Sequence, residues 1–319
     1  MNADRSQWIK LNETLAEKDC RQIEALRERC VRAEPVALKL ELDYKRSAAL
    51  AEPMEKVIRN VNEFLYFEGR KLAGYLGICS FGGPGMPLEA TGMVDPEERR
   101  KGIFTALYRL ALAEARRRGT ACMLLLCDRS SVSGQRFLRK AGAVCHHSEY
   151  EMVLKREWSF PGDAELRGVT LRKAVNADAR EIAGQDALYF SDEGLDAKAD
   201  FNANAEGPDA AQKEILLPEK EEKEGLTVWL AEKDGRPVGK VNLELGSGIG
   251  GIYGLGVRPE FRGKGFGRSI LLQAVGKLKT ANAAEVMLQV ATDNTKALNL
   301  YTSCGFQETS VMDYDRVDF

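Results

Sequence analysis

Histidine is nearly absent. His146 and His147 are the only two in 319 residues. They stand side by side without companions at metal-ligand spacing, so no zinc centre is expected. The seven cysteines are odd in number and scattered, and they form no C-x-x-C pair. A disulfide framework is therefore not expected, and free buried thiols are. No apolar run approaches the ~20 residues that a membrane-spanning helix needs. The opening residues, Met-Asn-Ala-Asp-Arg-Ser, lack the apolar centre of a signal peptide. A formal net charge of −2 leaves no cationic surplus for general nucleic-acid binding. Arg116, Arg117 and Arg118 read as the solvated end of a helix, where cations suit the dipole. These absences lead to the expectation of a cytoplasmic, metal-free protein with no nucleic-acid or membrane partner.

Charged residues (29%) and hydrophobic residues (44%) are balanced as in a soluble globular chain. The length exceeds one typical core, so two domains are expected. Hydrophobic periodicity divides the chain further. Trp8 to Leu11 reads as an edge strand, and helices are expected over about 16–31 and 38–61. Glu63 to Phe67 and Leu72 to Phe81 form a hairpin, ended by Gly82-Gly83-Pro84-Gly85. Leu88 to Val94 is a strand, followed by a helix to about Arg118. Next come a buried strand at 122–127, a helix at 131–140 and a strand at 149–154. A charged stretch with Pro161-Gly162 sets a linker at 156–168, between domains at 1–155 and 169–319. The pattern then restarts with a strand at 169–174, a helix at 178–190 and a polar, mobile surface loop at 191–225. A hairpin at 226–245, a strand at 249–257, a helix, a strand at 286–291 and a helix at 294–304 complete it. The second half repeats the first in constant register. The offset 257 − 94 = 163 relates Val94 to Val257, and the same offset relates Pro96 to Pro259, Arg99 to Arg262, Gly102 to Gly265 and Gly142 to Gly305.

The informative stretch is Val257-Arg-Pro-Glu-Phe-Arg262-Gly-Lys-Gly-Phe-Gly267-Arg268. Ile252, Tyr253, Leu255 and Val257 read as a strand before it. Ile270, Leu271, Ala274, Val275 and Leu278 read as an amphipathic helix after it. The first turn of such a helix carries free amides and the positive end of the helix dipole. Gly263, Gly265 and Gly267 let those amides close on a bulky anion, and Arg262, Lys264 and Arg268 add positive charge. A phosphate or pyrophosphate site is the functional reading, and a well-packed glycine turn is the plain one. A P-loop is excluded, because Arg268-Ser269 follows the last glycine where Lys-Ser/Thr is required. A dinucleotide-binding turn fits poorly, because no second βαβ half follows. Downstream, Asn294, Ala297 or Leu298, and Tyr301 share one helix face. There the plain reading is a capped helix with a core tyrosine.

Together, R-G-x-G-x-G and N-x-x-A-x-x-x-Y-x-x-x-G-F some thirty residues later resemble the two principal motifs of the GNAT superfamily of N-acetyltransferases. The likeness is strong over 169–319 and weaker over 16–154. It implies an α/β fold with a mixed sheet in two tandem acyl-CoA N-acyltransferase domains, and acetyl transfer from acetyl-CoA to a small-molecule amine. By that resemblance, the amides of Gly263, Lys264, Gly265, Phe266 and Gly267 would hold the pyrophosphate. Arg262 would brace the loop, and Arg268 and Asn294 would complete the cofactor site. Backbone groups of Leu255, Gly256 and Val257 would pair with pantetheine, one amide acting as oxyanion donor. Tyr301 would protonate the departing thiolate. Some members carry a base on the fourth strand. Here that strand has Gly250, Gly251 and Tyr253, and Glu244 on the preceding strand is the one candidate, with an exposed strand residue as its plain reading. The base is left unassigned.

The first copy is degenerate. Val94, Arg99, Arg100, Lys101, Gly102 and Ile103 offer a second cofactor site, but Ser131 replaces Asn294 and Leu138 replaces Tyr301. Tyr108 and Ser133 are the remaining hydroxyls that could stand in. The second copy is expected to be catalytic, with the first structural or binding coenzyme without turnover. Two fused copies can pack pseudo-symmetrically into a monomer. The rival readings are a non-catalytic, coenzyme-responsive scaffold and a protein N-acetyltransferase that docks its substrate on the 191–225 loop.

Overall fold

The computed structural model describes residues 6–51, 59–80, 87–155, 157, 159, 162–189 and 217–319. The expected turn at 82–85 and most of the expected loop at 191–225 lie outside these. The chain forms two compact units: residues 1–149 with 310–319, and residues 150–309. Among the described residues no helix is long and apolar enough to cross a membrane.

In the first unit, β1 (Gln7–Asn12), β2 (Glu63–Glu68), β3 (Lys71–Cys79) and β4 (Leu88–Val94) form an antiparallel run. β4 then pairs in parallel with β5 (Cys122–Asp128). Helix α1 (Glu17–Ala33) buries Cys20, Ile23, Leu26 and Cys30 on one side of the sheet. Helix α2 (Leu42–Ala51) starts later than the expected 38, and 59–61 are not helical; 52–58 lie outside the described residues. Helix α3 (Ile103–Arg117) presents Ile103, Leu107, Ala111 and Ala115, four residues apart, to the core on the other side. Helix α4 (Val132–Ala141) begins at Ser131, whose Oγ accepts from the Gly134 amide, and stops at left-handed Gly142. Strand β6 (Val144–Leu154) starts five residues earlier than expected.

The second unit restarts with the short helix α5 (Asp163–Leu166), β7 (Thr170–Lys173) and α6 (Ala179–Tyr189). The expected linker is thus partly helical, and it docks locally: Ser269 Oγ donates to the Glu165 carbonyl at 2.8 Å. After α7 (Pro218–Lys223) come β8 (Leu226–Lys233), β9 (Arg236–Gly246), β10 (Ile249–Val257), α8 (Phe266–Thr280), β11 (Glu285–Ala291) and α9 (Thr295–Ser303). The strand order β7-β8-β9-β10-β11 is antiparallel except for the parallel β10–β11 pair. Phe266, Ile270, Ala274 and Leu278 of α8 seat in the core with Val241, Ile252 and Val286.

The last strand, β12 (Phe306–Asp318), was not expected from the sequence. Its residues Met312–Asp318 pair antiparallel with Cys122–Asp128 of β5, so 310–319 belong to the first unit. The second compact unit runs from Tyr150 to Thr309. Seven residue pairs with β5 satisfy the backbone groups of Met312–Asp318, which fixes this stretch as a strand.

Candidate active site

In the second unit the parallel ladder between β10 and β11 ends at Ile252–Leu288. Beyond it, Tyr253, Gly256 and Val257 stay paired with Asn242, Lys240 and Gly239 of β9, with an irregularity between Tyr253 and Gly256. The edge of β10 that faced β11 is left open along Leu255, Gly256 and Val257. An extended ligand can pair there as an added strand. A short turn at Pro259–Phe261 then leads to Arg262, and left-handed Gly263 (φ 73°) and Gly265 (φ 81°) bend the chain into α8. These signs of φ exclude most side chains, which explains the glycines. Gly263 to Gly267 lead into the N-terminus of a 15-residue helix, where the first amides have no partner within the helix.

The cations around this loop act in different ways. Arg262 Nε donates to the Val257 carbonyl at 3.0 Å and ties the loop to the end of β10. Lys264 Nζ donates to the Glu260 carbonyl at 3.1 Å and lies over the Phe261 ring. Arg268 turns to α9, where its Nη1 donates to the Ser303 carbonyl and Oγ at 3.3 and 3.2 Å. It joins two helix ends and does not point along the loop amides. Phe266 is buried, so only its backbone faces the loop. Arg167, unnoticed in the sequence, brings its guanidinium over Gly265: a Cβ there would lie 2.6 Å from Nε.

Helix α9 packs beside this loop, because a Cβ on Gly267 would stand 3.4 Å from Leu300. Asn294 caps α9, its Oδ1 accepting from the Ala297 amide at 3.1 Å. Tyr301, 8% exposed, stands one turn before the helix end with its ring edge-on to Phe306. The loop, the open strand edge and Tyr301 are thus gathered in one unit.

The opposite face of β10 holds groups that the sequence did not single out. Tyr189 of α6 lies against Gly256. Lys240, 1% exposed, is in an ion pair with Asp186 (2.6 Å) and donates to Asn242 Oδ1 (3.3 Å). Its Nζ reaches the irregular part of β10, 3.4 Å from where a Gly254 Cβ would be. Burial raises the Glu221 carboxyl above the usual carboxylate range. Lys240 lowers it, and Asp186 and Glu224 raise it further. Glu244 lies opposite Gly251 in register, on the same strand face as Lys240 and Asn242.

The first unit repeats the opening. The β4–β5 ladder ends at Ala90–Leu125, and a cavity of about 820 Å³ follows. Its walls include Val94, Arg99, Arg100, Gly102, Ile103 and Leu138. Arg99 Nε donates to the Val94 carbonyl at 3.3 Å, the counterpart of the Arg262 tether. Lys101 is instead held in an ion pair by Glu98. Of the two spare hydroxyls, Ser133 donates to Glu34 at 3.1 Å, and the Tyr108 ring packs edge-on against Phe137.

The acetyltransferase (GNAT) family model matches residues 31–143 and 195–306. The chain belongs to this family. It carries two copies of the domain, in agreement with the 163-residue repeat and with the tandem fold. Among the relatives, a mycothiol acetyltransferase of Mycobacterium ulcerans is 28% identical over 279 residues, covering 76% of this chain and 78% of the relative. That of Thermobifida fusca is 28% identical over 273 residues, covering 78% and 80%. A GCN5-related N-acetyltransferase from Sphaerobacter thermophilus matches in structure with a TM-score of 0.70 at 18% identity, covering 98% of this chain and 95% of that one. A tandem GNAT protein from the clavulanic acid biosynthesis pathway matches with a TM-score of 0.67 at 15% identity, covering 98% of both. At such identity the two structures speak for the fold.

Proposed function

We propose that this acetyltransferase uses acetyl-CoA to acetylate a primary amine of a small molecule, and that the second unit performs the chemistry. The observation that carries the reading is the assembly in that unit of a glycine-turned helix N-terminus, an open strand edge and Tyr301. The loop suits a pyrophosphate: left-handed Gly263 and Gly265 turn the chain without side chains, and the Arg167 guanidinium lies over Gly265. The alignment with mycothiol acetyltransferases over most of both chains supports a small-molecule acceptor.

In this reading, the amides of 263–267 hold the phosphates, and backbone groups of Leu255 to Val257 align the pantetheine. One of those amides stabilises the oxygen of the thioester as the amine nitrogen attacks its carbonyl carbon. Glu221, whose proton affinity burial raises above that of an ordinary carboxylate, takes the proton that the nitrogen sheds. The C–S bond breaks, and the Tyr301 hydroxyl gives its proton to the thiolate. An ordinary phenol titrates at ~10 and a thiol at ~8.5, so the transfer is feasible in a desolvated site. The first unit, with Leu138 at the register of Tyr301, is assigned a binding or structural role.

Calorimetric titration of acetyl-CoA into the intact chain and a Gly265→Glu variant tests the site, and thiol release with a panel of primary amines tests the reaction. Loss of one binding site in the variant, with amine-dependent release in the parent, is expected. Binding without release for any amine would instead support the scaffold reading.

A further inference from the structure

In the first unit, one carboxylate holds both lips of the cleft. Glu34 ends α1 in an extended conformation. Its Oε2 accepts from Arg99 Nη1 at 2.8 Å, on the β4 side. Its Oε1 accepts from the Val132 amide at 2.8 Å, at the N-terminus of α4 on the β5 side. Ser133 Oγ donates to Oε2 at 3.1 Å, and Ser131 Oγ lies 3.4 Å from Oε1. The segment around Glu34 is pinned on both sides of the opening. Before it, Arg29 is in an ion pair with Asp95 at 2.8 Å. After it, the Ala37 amide donates to Asp128 Oδ2 at 2.6 Å. Glu34, Val36, Ala37 and Leu38 all line the cavity. The chain therefore crosses the seam where β4 and β5 part.

The two copies differ at this point. Arg99 and Arg262 share the same tether to the preceding strand, yet only Arg99 has a carboxylate partner among the described residues. Arg100, Arg136 and Lys140 also line the cavity and form no ion pair among the described residues. Cations thus surround a cleft whose leading arginine and second helix N-terminus are already occupied by an internal anion. Burial raises the Glu34 carboxyl, but hydrogen bonds from Arg99 and Ser133 outweigh it and hold the group below its ordinary range. The carboxylate stays charged at neutral pH.

We propose that Glu34 is an internal latch on the first unit's cleft, and that a phosphorylated ligand of the coenzyme A type enters as this carboxylate releases Arg99 and the α4 N-terminus. The anion groups of such a ligand and the carboxylate compete for the same donors and repel each other. Removing the charge tightens binding by about tenfold, the Coulomb scale for a unit charge within several ångströms in a partly solvated site.

The test uses the full chain carrying Gly265→Glu, with and without Glu34→Gln. Gln keeps an oxygen for Val132 and Ser133 but loses the charge. Coenzyme A and adenosine 3′,5′-bisphosphate are titrated calorimetrically into each, and melting temperatures are recorded. The comparison turns only on residue 34, so it is separate from the reading of the second unit. The latch predicts about tenfold tighter coenzyme A binding with Glu34→Gln. A matching gain for the bisphosphate places the competition at the phosphates, and a gain for coenzyme A alone places it at the threading of pantetheine; both support the latch. Unchanged or weaker coenzyme A binding in a variant of unchanged melting temperature overturns it. Should Glu34→Gln fold poorly, Glu34→Ala decides. It removes both the charge and the bonds to Arg99 and Val132, so the latch again predicts a gain, and its absence overturns the proposal.

Discussion

The backbone of Gly256 and the ring of Tyr189 touch so closely that a Cβ on Gly256 would stand 2.0 Å from Cδ2. This contact seats α6 against the part of β10 whose other edge is open. Gly256→Ala must displace the ring or the strand, at a cost of about 1–3 kcal/mol. The expected outcome is a lower melting temperature together with weaker acetyl-CoA binding. A variant that melts lower but binds as before would detach this contact from the cofactor site.

Tyr301→Phe keeps the buried ring and removes the hydroxyl. If Tyr301 protonates the thiolate, turnover falls by about 10²-fold or more while the KM for acetyl-CoA stays nearly constant. Steady-state thiol release checks this. A change in KM alone would mean that the ring only packs.

Glu221 accepts a proton only when ionised, so activity rises with pH through its pKa. That pKa lies above the carboxylate norm because burial, Asp186 and Glu224 together outweigh Lys240. In the pH profile of kcat/KM, Glu221→Gln should abolish this acidic limb and lower the plateau by about 10². Glu244→Gln should leave the limb in place. The opposite pattern would assign the role to Glu244.

Glu114, 7% exposed on α3, is raised by burial but pulled further down, to about 2, by Arg117, the Val61 amide and Arg118. A depressed carboxyl contributes stability above its unfolded pKa, near 4.5, and loses it as pH falls towards 2. The contribution is at most about 3 kcal/mol, reduced by the exposure of Arg117. Glu114→Gln should melt well below the parent at pH 7, and the gap should narrow through pH 4 to 2.

Of the seven cysteines, Cys145 alone is exposed; Cys79 and Cys127 have thiols pushed up to about 12 by burial. A thiol reagent at neutral pH should label one cysteine quickly, and Cys145→Ser should remove that phase. Fast labelling of several sites in the folded protein would contradict the burial pattern.

The features legible in the sequence were local. Gly263 and Gly265 announce a left-handed turn because few other residues adopt it. The spacing of Ile270, Leu271, Ala274, Val275 and Leu278 announces a helix face, and the constant 163-residue offset from Val94, Pro96, Arg99, Gly102 and Gly142 announces a second copy. The resemblance to the family rests on Arg262 to Gly267 and Asn294 to Phe306, and the family model matches both halves of the chain. Other features depended on partners far away in the chain. The expected helix beyond Ala51 gives way near 59–61, where the amides of Arg59 and Asn60 donate to Glu13 and that of Val61 to Glu114. Strand β12 reads as polar because its apolar partners belong to β5. Arg268 matches a phosphate-binding pattern but is drawn to the end of α9. Glu221, Asp186 and Lys240 come from three separate elements, and Glu34 meets Arg99 and Val132 across 65 and 98 residues. Backbone conformation and helical period are properties of a few neighbouring residues, so the sequence determined the turn, the helices and the repeat. The placement of a charge depends on which distant donor lies within hydrogen-bond reach, and only the tertiary structure decided that.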